Sequence, residues 1–521
     1  MIVIDVLRRE KMNNFLTVID FVRGFTQHEG KDGELLKTVK EEIKLCKKYN
    51  FPNTFLLQYD AMIRKDFQDI FFSERDENME LGVWIEIVKP LVEACGMEWR
   101  GRPGYDWDFY VNPGFLMAYT KKEKEILCDE VMRKFKELFG EFPKCVGSWM
   151  LDSYSMEYMS KKYDLSAFCV CREQYGVDGY SLWGGYYNQG YYPSKYNMLC
   201  PAQSEECQIN VPVFRMLGID PMYEYDNKRY ETKWRGIRNN GKYPIYTFEP
   251  AVGPGRDRDY AEWYLNSYGS DKTVNYSYIQ HGQENSFWWD ELIEAGWELE
   301  SEVIDGLTKE KKLKVLKFSE MGEWYKANFK KTPPTSIVAE TDWAENGLKS
   351  FWYSCKNYRT NVFVDNDTMI IRDIYKFDEK YKERYYDEVC TGRTALYDNL
   401  PVMDGVFWSD EETRSGIFFE GKISDVEVEK EENNQIISAK LDNEDIKIVL
   451  SEEGIEIFGK VKLEFRMKKD IEDNIELKDN KILFNHNSYD YFVEIGGELS
   501  QTDCGFAIES VDNKIFIKMN I

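Results

Sequence analysis

Five acids, Asp20, Asp60, Glu86, Asp152 and Glu284, each close or closely follow a short apolar, aromatic-rich segment of the chain. Two carboxyl groups facing one another across a pocket can break a glycosidic bond. One protonates the leaving oxygen, and the other attacks the sugar or activates water. Asp152 is flanked by Trp149 and Tyr154, whose rings would partly desolvate it and tune its proton affinity. Glu284 lies in His281-Gly282-Gln283-Glu284-Asn285, just ahead of Trp288-Trp289. Polar groups for sugar hydroxyls beside aromatic faces for sugar C–H surfaces make a sensible carbohydrate pocket. Both acids also have a plain structural use. Asp152 or Ser153 can cap a helix running from Met156 to Lys162, and Glu284 can cap one containing Leu292 and Ile293. Asp20, Asp60 and Glu86 are expected to line the same pocket or to pair with Arg23, Arg100, Arg102 or Arg215. Glu249, before Pro250, is a further candidate acid.

The densest aromatic run, Tyr180 to Pro193, contains Trp183, five tyrosines besides, and interspersed Gly, Asn and Gln. That mixture predicts a long loop, serving either as a sugar-stacking platform led by Trp183 or as a patch covering a barrel end or a subunit contact. A homo-oligomer therefore stays open. No Gly-x-Ser-x-Gly elbow, P-loop or His-Glu-x-x-His motif is present, and three histidines in 521 residues leave few routes for histidine-dependent chemistry.

Composition narrows the partners. A formal charge of −25 disfavours nucleic acid and anionic membrane surfaces. No continuous apolar run reaches membrane-spanning length. Met1 to Lys11 is broken by Asp5, Arg8, Arg9 and Glu10 before a signal-like core develops, and eleven unevenly spaced cysteines suit reduced thiols. A cytoplasmic protein is the expectation.

The elements that must position these acids follow from periodicity. Leu36, Val39, Ile43 and Cys46 recur at helical spacing, as do Ile126, Leu127, Val131, Phe135 and Leu138, and each helix leads into an apolar strand. Strands are predicted near 15–20, 54–60, 82–87, 145–151, 166–171, 211–217, 244–248 and 273–280. Seven or eight strands alternating with helices imply an α/β fold, a (β/α)7-8 barrel whose acids sit at the carboxyl ends of the strands. Beyond about residue 350 the chain turns to short β-rich segments separated by Asn- and Asp-containing turns, as in Ile436 to Leu450. A barrel over 1–340 followed by an all-β sandwich over 341–521 is predicted.

Asp20 after the first strand, Trp149-Met150-Leu151-Asp152 after the fourth and Gln280-His281-Gly282-Gln283-Glu284 near the last resemble the seven-stranded barrels of glycoside hydrolase families 38 and 57 and of the polysaccharide deacetylases. The resemblance implies a carbohydrate-active enzyme with Asp152 as nucleophile or base and Glu284 as general acid; no cofactor is expected, because the chain departs from the metal-binding patterns of those families. It departs from the deacetylases, whose metal is held by His-x-x-x-His, because His28, His281 and His486 are not so spaced. It departs from the family 38 His-x-Asp pattern as well, since the chain reads Val18-Ile19-Asp20. Asp20, Asp152 and His281 stay open as a three-ligand metal set. Trp149, Trp183, His281 and Trp288 join Asp20, Asp60 and Glu86 as expected sugar contacts. Two alternatives stand beside glycoside hydrolysis: a catalytically silent carbohydrate-binding barrel, and a metal-dependent hydrolase or lyase.

Overall fold

The computed structural model describes residues 13–24, 33–177, 179–226, 229–230, 246–251, 253–472, 474–502 and 505–519. His28 lies outside them. Among the described residues the first sheet has nine strands, seven of them forming a parallel run: β1 (Asn14–Val22), β2 (Asn53–Leu57), β3 (Met79–Trp84), β4 (Cys145–Gly147), β5 (Ala167–Cys171), β6 (Val213–Met216) and β7 (Ser277–His281); Lys314–Leu316 also pairs parallel with β1, and Gly190–Tyr191 pairs antiparallel with β6. Their order is β7-β1-β2-β3-β4-β5-β6. These strands are buried on both faces, which is why they read as nearly continuous apolar runs.

Helices between the strands cover the sheet. Helix α1 (Glu34–Tyr49) buries Leu35, Val39, Ile43 and Cys46 and ends where Asn50 turns left-handed at φ 54°. Helix α2 (Lys121–Phe139) opens on a Thr120/Glu123 capping box and stops at Gly140, φ 86°. Of its predicted apolar stripe, Leu127, Val131 and Phe135 are buried, whereas Ile126 is exposed.

The sheet is nearly closed. Among the described residues no backbone ladder joins β6 to β7, and side chains span the gap. The Gln189 amide donates to the Tyr278 carbonyl (3.0 Å) and accepts from its N–H (2.7 Å), as a neighbouring strand would. Gln280 Oε1 accepts from the Leu217 N–H at 2.7 Å. The strand predicted at 244–248 falls partly outside the described residues, and Thr247 makes only an isolated bridge to Ile219.

The all-β part begins with Thr335–Ala339, already paired antiparallel to Leu348–Ser354. Two antiparallel sheets follow, and residues from both, such as Val362 and Ile371 from one and Ile437 and Ile448 from the other, share one apolar core. This part also reaches back to the barrel. Ala395–Tyr397 runs parallel to Tyr180–Leu182, in the hairpin after β5. Among the described residues no helix is long and apolar enough to cross a membrane.

Candidate active site

The carboxyl ends of β1, β2, β3, β4 and β7 bring together Arg23, Gln58, Glu86, Trp149 and Glu284, joined by Trp107 from a loop. Glu86 follows β3. Its Oε1 accepts from Arg23 Nη2 (3.2 Å) and Trp107 Nε1 (3.3 Å). Its Oε2 accepts from Arg23 Nε (3.2 Å), Gln58 Nε2 (3.3 Å) and Trp84 Nε1 (2.9 Å). The two Arg23 bonds form the planar, two-point pairing that a guanidinium makes with a carboxylate. Arg23 Nη1 stands 3.2 Å from Glu284 Oε2, so one cation bridges two acids. Ser286 Oγ donates to Glu284 Oε1. The guanidinium lies over the rings of Trp107 and Trp149, at 5.2 and 5.9 Å. Trp149 packs edge-on against Phe21 and Trp84, which stack on each other.

Local backbone chemistry sets this geometry. After β7, Gly282 adopts φ 125°, where a Cβ would lie 2.2 Å from the Ile19 carbonyl oxygen. The chain then rejoins β1 through a bridge between Phe21 and Glu284. Asn285 clasps the Arg23 backbone, accepting from its N–H at 2.9 Å and donating to its carbonyl at 3.0 Å. Asp60 accepts from the Gly24 N–H at 3.0 Å.

The other expected residues fall elsewhere. Asp152 is fully buried at the N-cap of α3 (Ser153–Lys162), accepting from Ser155 N (3.1 Å) and Oγ (2.8 Å) and pairing with buried Lys124 at 2.9 Å. It shares no hydrogen-bond partner with the Arg23 group and has the helix-capping use expected from sequence as its structural alternative. Asp60 is likewise fully buried, and its Oδ1 accepts from the backbone N–H groups of Gly24 and Ala61. Asp20 is fully buried and accepts from the Gln283 N–H. Burial pushes its carboxyl up to about 8. Glu42, on α1, is buried beside it with neither carboxyl oxygen bonded to a described residue, and burial, then the Asp20 charge, raises it well above the usual range. His281 is fully buried and bonds Glu300 at 2.8 Å. Burial lowers the imidazole to about 3, which keeps it neutral. Glu249 bonds Thr247 and Gln283. Trp288 is half exposed, at 49%.

The metal set considered from sequence does not form. Asp20, Asp152 and His281 each serve the separate partners just named, and among the described residues no three His, Cys, Asp or Glu side chains converge as ligands. These residues do not fit a metal of the deacetylase kind. Most of the aromatic run is buried packing: Tyr186, Tyr187, Tyr191 and Tyr192 are all inside. Trp183 is nearly buried, donates to Asp404 at 3.1 Å and stacks on Tyr225.

Gln58, Trp107 and Ser286 were not singled out by sequence. Gln58 had a signal, a polar residue ending the apolar segment 54–57, whereas Trp107 arrives from a long loop that periodicity cannot place.

No family model matches the chain, and no curated protein matches it in sequence. Among solved structures it is similar to a candidate glycoside hydrolase/deacetylase from Parabacteroides distasonis, with 14% identity and a TM-score of 0.57, covering 77% of this chain and 96% of that one. That likeness is one of fold. Looser likenesses are to the 4-alpha-glucanotransferase of Thermococcus litoralis (10% identity, TM-score 0.34, 98% of this chain and 100% of that one) and to a candidate polysaccharide deacetylase from Mycobacterium smegmatis (9%, 0.35, 61% and 92%).

Proposed function

We propose that the chain is a carbohydrate-active enzyme that hydrolyses a glycosidic bond, with Glu284 as general acid and Glu86 as base or nucleophile. The observation that carries this reading is the Glu86–Arg23–Glu284 bridge at the carboxyl mouth of the barrel, walled by Trp107 and Trp149. The fold shared with a protein named as a candidate glycoside hydrolase/deacetylase supports it. In this reading the donors from Gln58, Trp84 and Trp107 fix Glu86 in one orientation, ready for the sugar carbon or a water. Glu284, held by Ser286 and Arg23, meets the leaving oxygen. Trp149 and half-exposed Trp288 cover the C–H faces of the sugar.

The test is a panel of nitrophenyl glycosides and natural oligosaccharides assayed with wild type and Glu284→Gln. Turnover is expected to fall roughly 10²–10⁴-fold in the variant, the usual contribution of a general acid. Undiminished turnover removes the assignment. Saturable sugar binding without turnover points to a silent binding barrel, a reading favoured by the full set of donors already on Glu86.

A further inference from the structure

A cavity of about 420 Å³ opens where the hairpin after β5 meets the all-β part. None of its lining residues belongs to the Arg23 group. Tyr175 and Trp183 line it from the barrel part, and Phe407, Trp408, Asn485 and His486 from the all-β part. The rings are arranged at angles around Phe407, with Tyr175 edge-on at 4.4 Å and Trp183 at 5.0 Å. Two acids line the cavity, and both are already matched. Asp398 pairs with Arg384 (2.6 Å) and bonds His486 (3.0 Å) and Tyr381 (3.2 Å). Asp404 accepts from Trp183, Tyr375 and the backbone N–H groups of Val406 and Phe407.

Both carboxylates in this aromatic-walled cavity are already engaged, Asp398 by the Arg384 cation and Asp404 by neutral N–H and O–H donors, so among the described residues the cavity presents no free cation and no carboxylate without partners to a ligand. It offers apolar faces for C–H surfaces and polar edges for hydroxyls. Its volume lies in the range of about 300–1,000 Å³ usual for small-molecule sites. We propose that it binds a neutral saccharide unit, as a site separate from the barrel mouth and built jointly by the barrel and the all-β part. The proposal does not require turnover at Glu284, so its failure and that of the hydrolase reading are distinguishable.

The experiment is calorimetric titration of the full chain with glucose, galactose, mannose, N-acetylglucosamine, maltotriose and cellobiose. Wild type, Glu284→Gln, Tyr175→Ala and Phe407→Ala are compared. Tyr175 is 37% exposed, so its truncation should leave the thermal transition in place. The expected result is a binding event that persists in Glu284→Gln and weakens at least tenfold in Tyr175→Ala and in Phe407→Ala. The proposal is overturned if no probe binds wild type. It is equally overturned if every binding event disappears in Glu284→Gln, or if binding is untouched by Tyr175→Ala.

Discussion

Arg23 is the residue on which the proposed site turns, because it is the charge that both Glu86 and Glu284 share at 3.1–3.2 Å with its side chain only 7% exposed. Removing a buried partner leaves charge uncompensated, at a cost of about 3–5 kcal/mol. Arg23→Leu should therefore lower unfolding stability by that amount in a urea titration, and wild-type stability would contradict the bridge. Arg23→Lys keeps the charge but not the planar two-point geometry, so it should fold and yet lose roughly 10²-fold in turnover, as small misplacements of reacting groups do. Sequence named Glu86, Glu284, Trp149 and Arg23, the last as an ion-pair partner, since a strand-end acid needs a cation if it is buried. It could not separate Glu86 from Asp20 and Asp60. All three end apolar strands, and the difference lies in whether a side chain meets a guanidinium, a backbone N–H or another acid, which depends on neighbours far along the chain.

At the scale of elements, the βα alternation was legible because strands buried on both faces and amphipathic helices have distinct periods. The closure of the sheet was not, since beyond the two-residue strand Gly190–Tyr191 on β6 it is carried by the side-chain amides of Gln189 and Gln280, which leave no periodic signal. Helix α3 gives the sharpest local test. Asp152→Ala removes its cap, worth about 0.5–2 kcal/mol, and leaves Lys124 buried without its partner, worth about 3–5 kcal/mol. The structural assignment predicts a loss of stability on the order of 3–5 kcal/mol in a denaturant titration. Wild-type stability in this variant would contradict both the cap and the Lys124 pair. Asp152→Asn should be milder, because its amide oxygen can still cap α3.

At the scale of the whole molecule, barrel and all-β part meet through buried polar and aromatic contacts. Tyr187 stacks on Trp352 with centroids 3.5 Å apart, and Arg359, fully buried, bridges Glu173 on the barrel side to Asp373. Trp352→Ala should cost about 3–5 kcal/mol and lower one common calorimetric transition; two separate transitions would show the parts to unfold independently. The same extensive burial fixes how stability responds to pH. Burial raises Asp20 to about 8, and burial together with the nearby Asp152 charge raises Glu383 to about 8. Glu42 and Glu300 are also raised well above the usual carboxyl range, Glu42 by burial and then by Asp20, Glu300 by burial and then by Glu249. The folded chain keeps these protons where the unfolded chain, with ordinary carboxyls near pH 4, has released them. Stability is therefore full below about pH 4 for these groups and is lost as pH rises through about 8. Each retained proton adds a slope of up to about 1.4 kcal/mol per pH unit. Exposed acids such as Glu137, held low by Lys134 and Arg133, act in the opposite sense, but only below about pH 4.5. Between pH 5 and 9 the buried acids govern; His281, kept neutral by burial, opposes them only below about pH 6.5, so the midpoint of thermal unfolding should fall across that window and most steeply above pH 6.5. Asp20→Asn, which keeps the oxygen that accepts from Gln283, should flatten the fall and raise the midpoint at pH 9 above wild type. A midpoint that rises from pH 5 to 9, or an Asp20→Asn profile parallel to wild type, would mean that Asp20 is ionised in the fold and has a cationic partner.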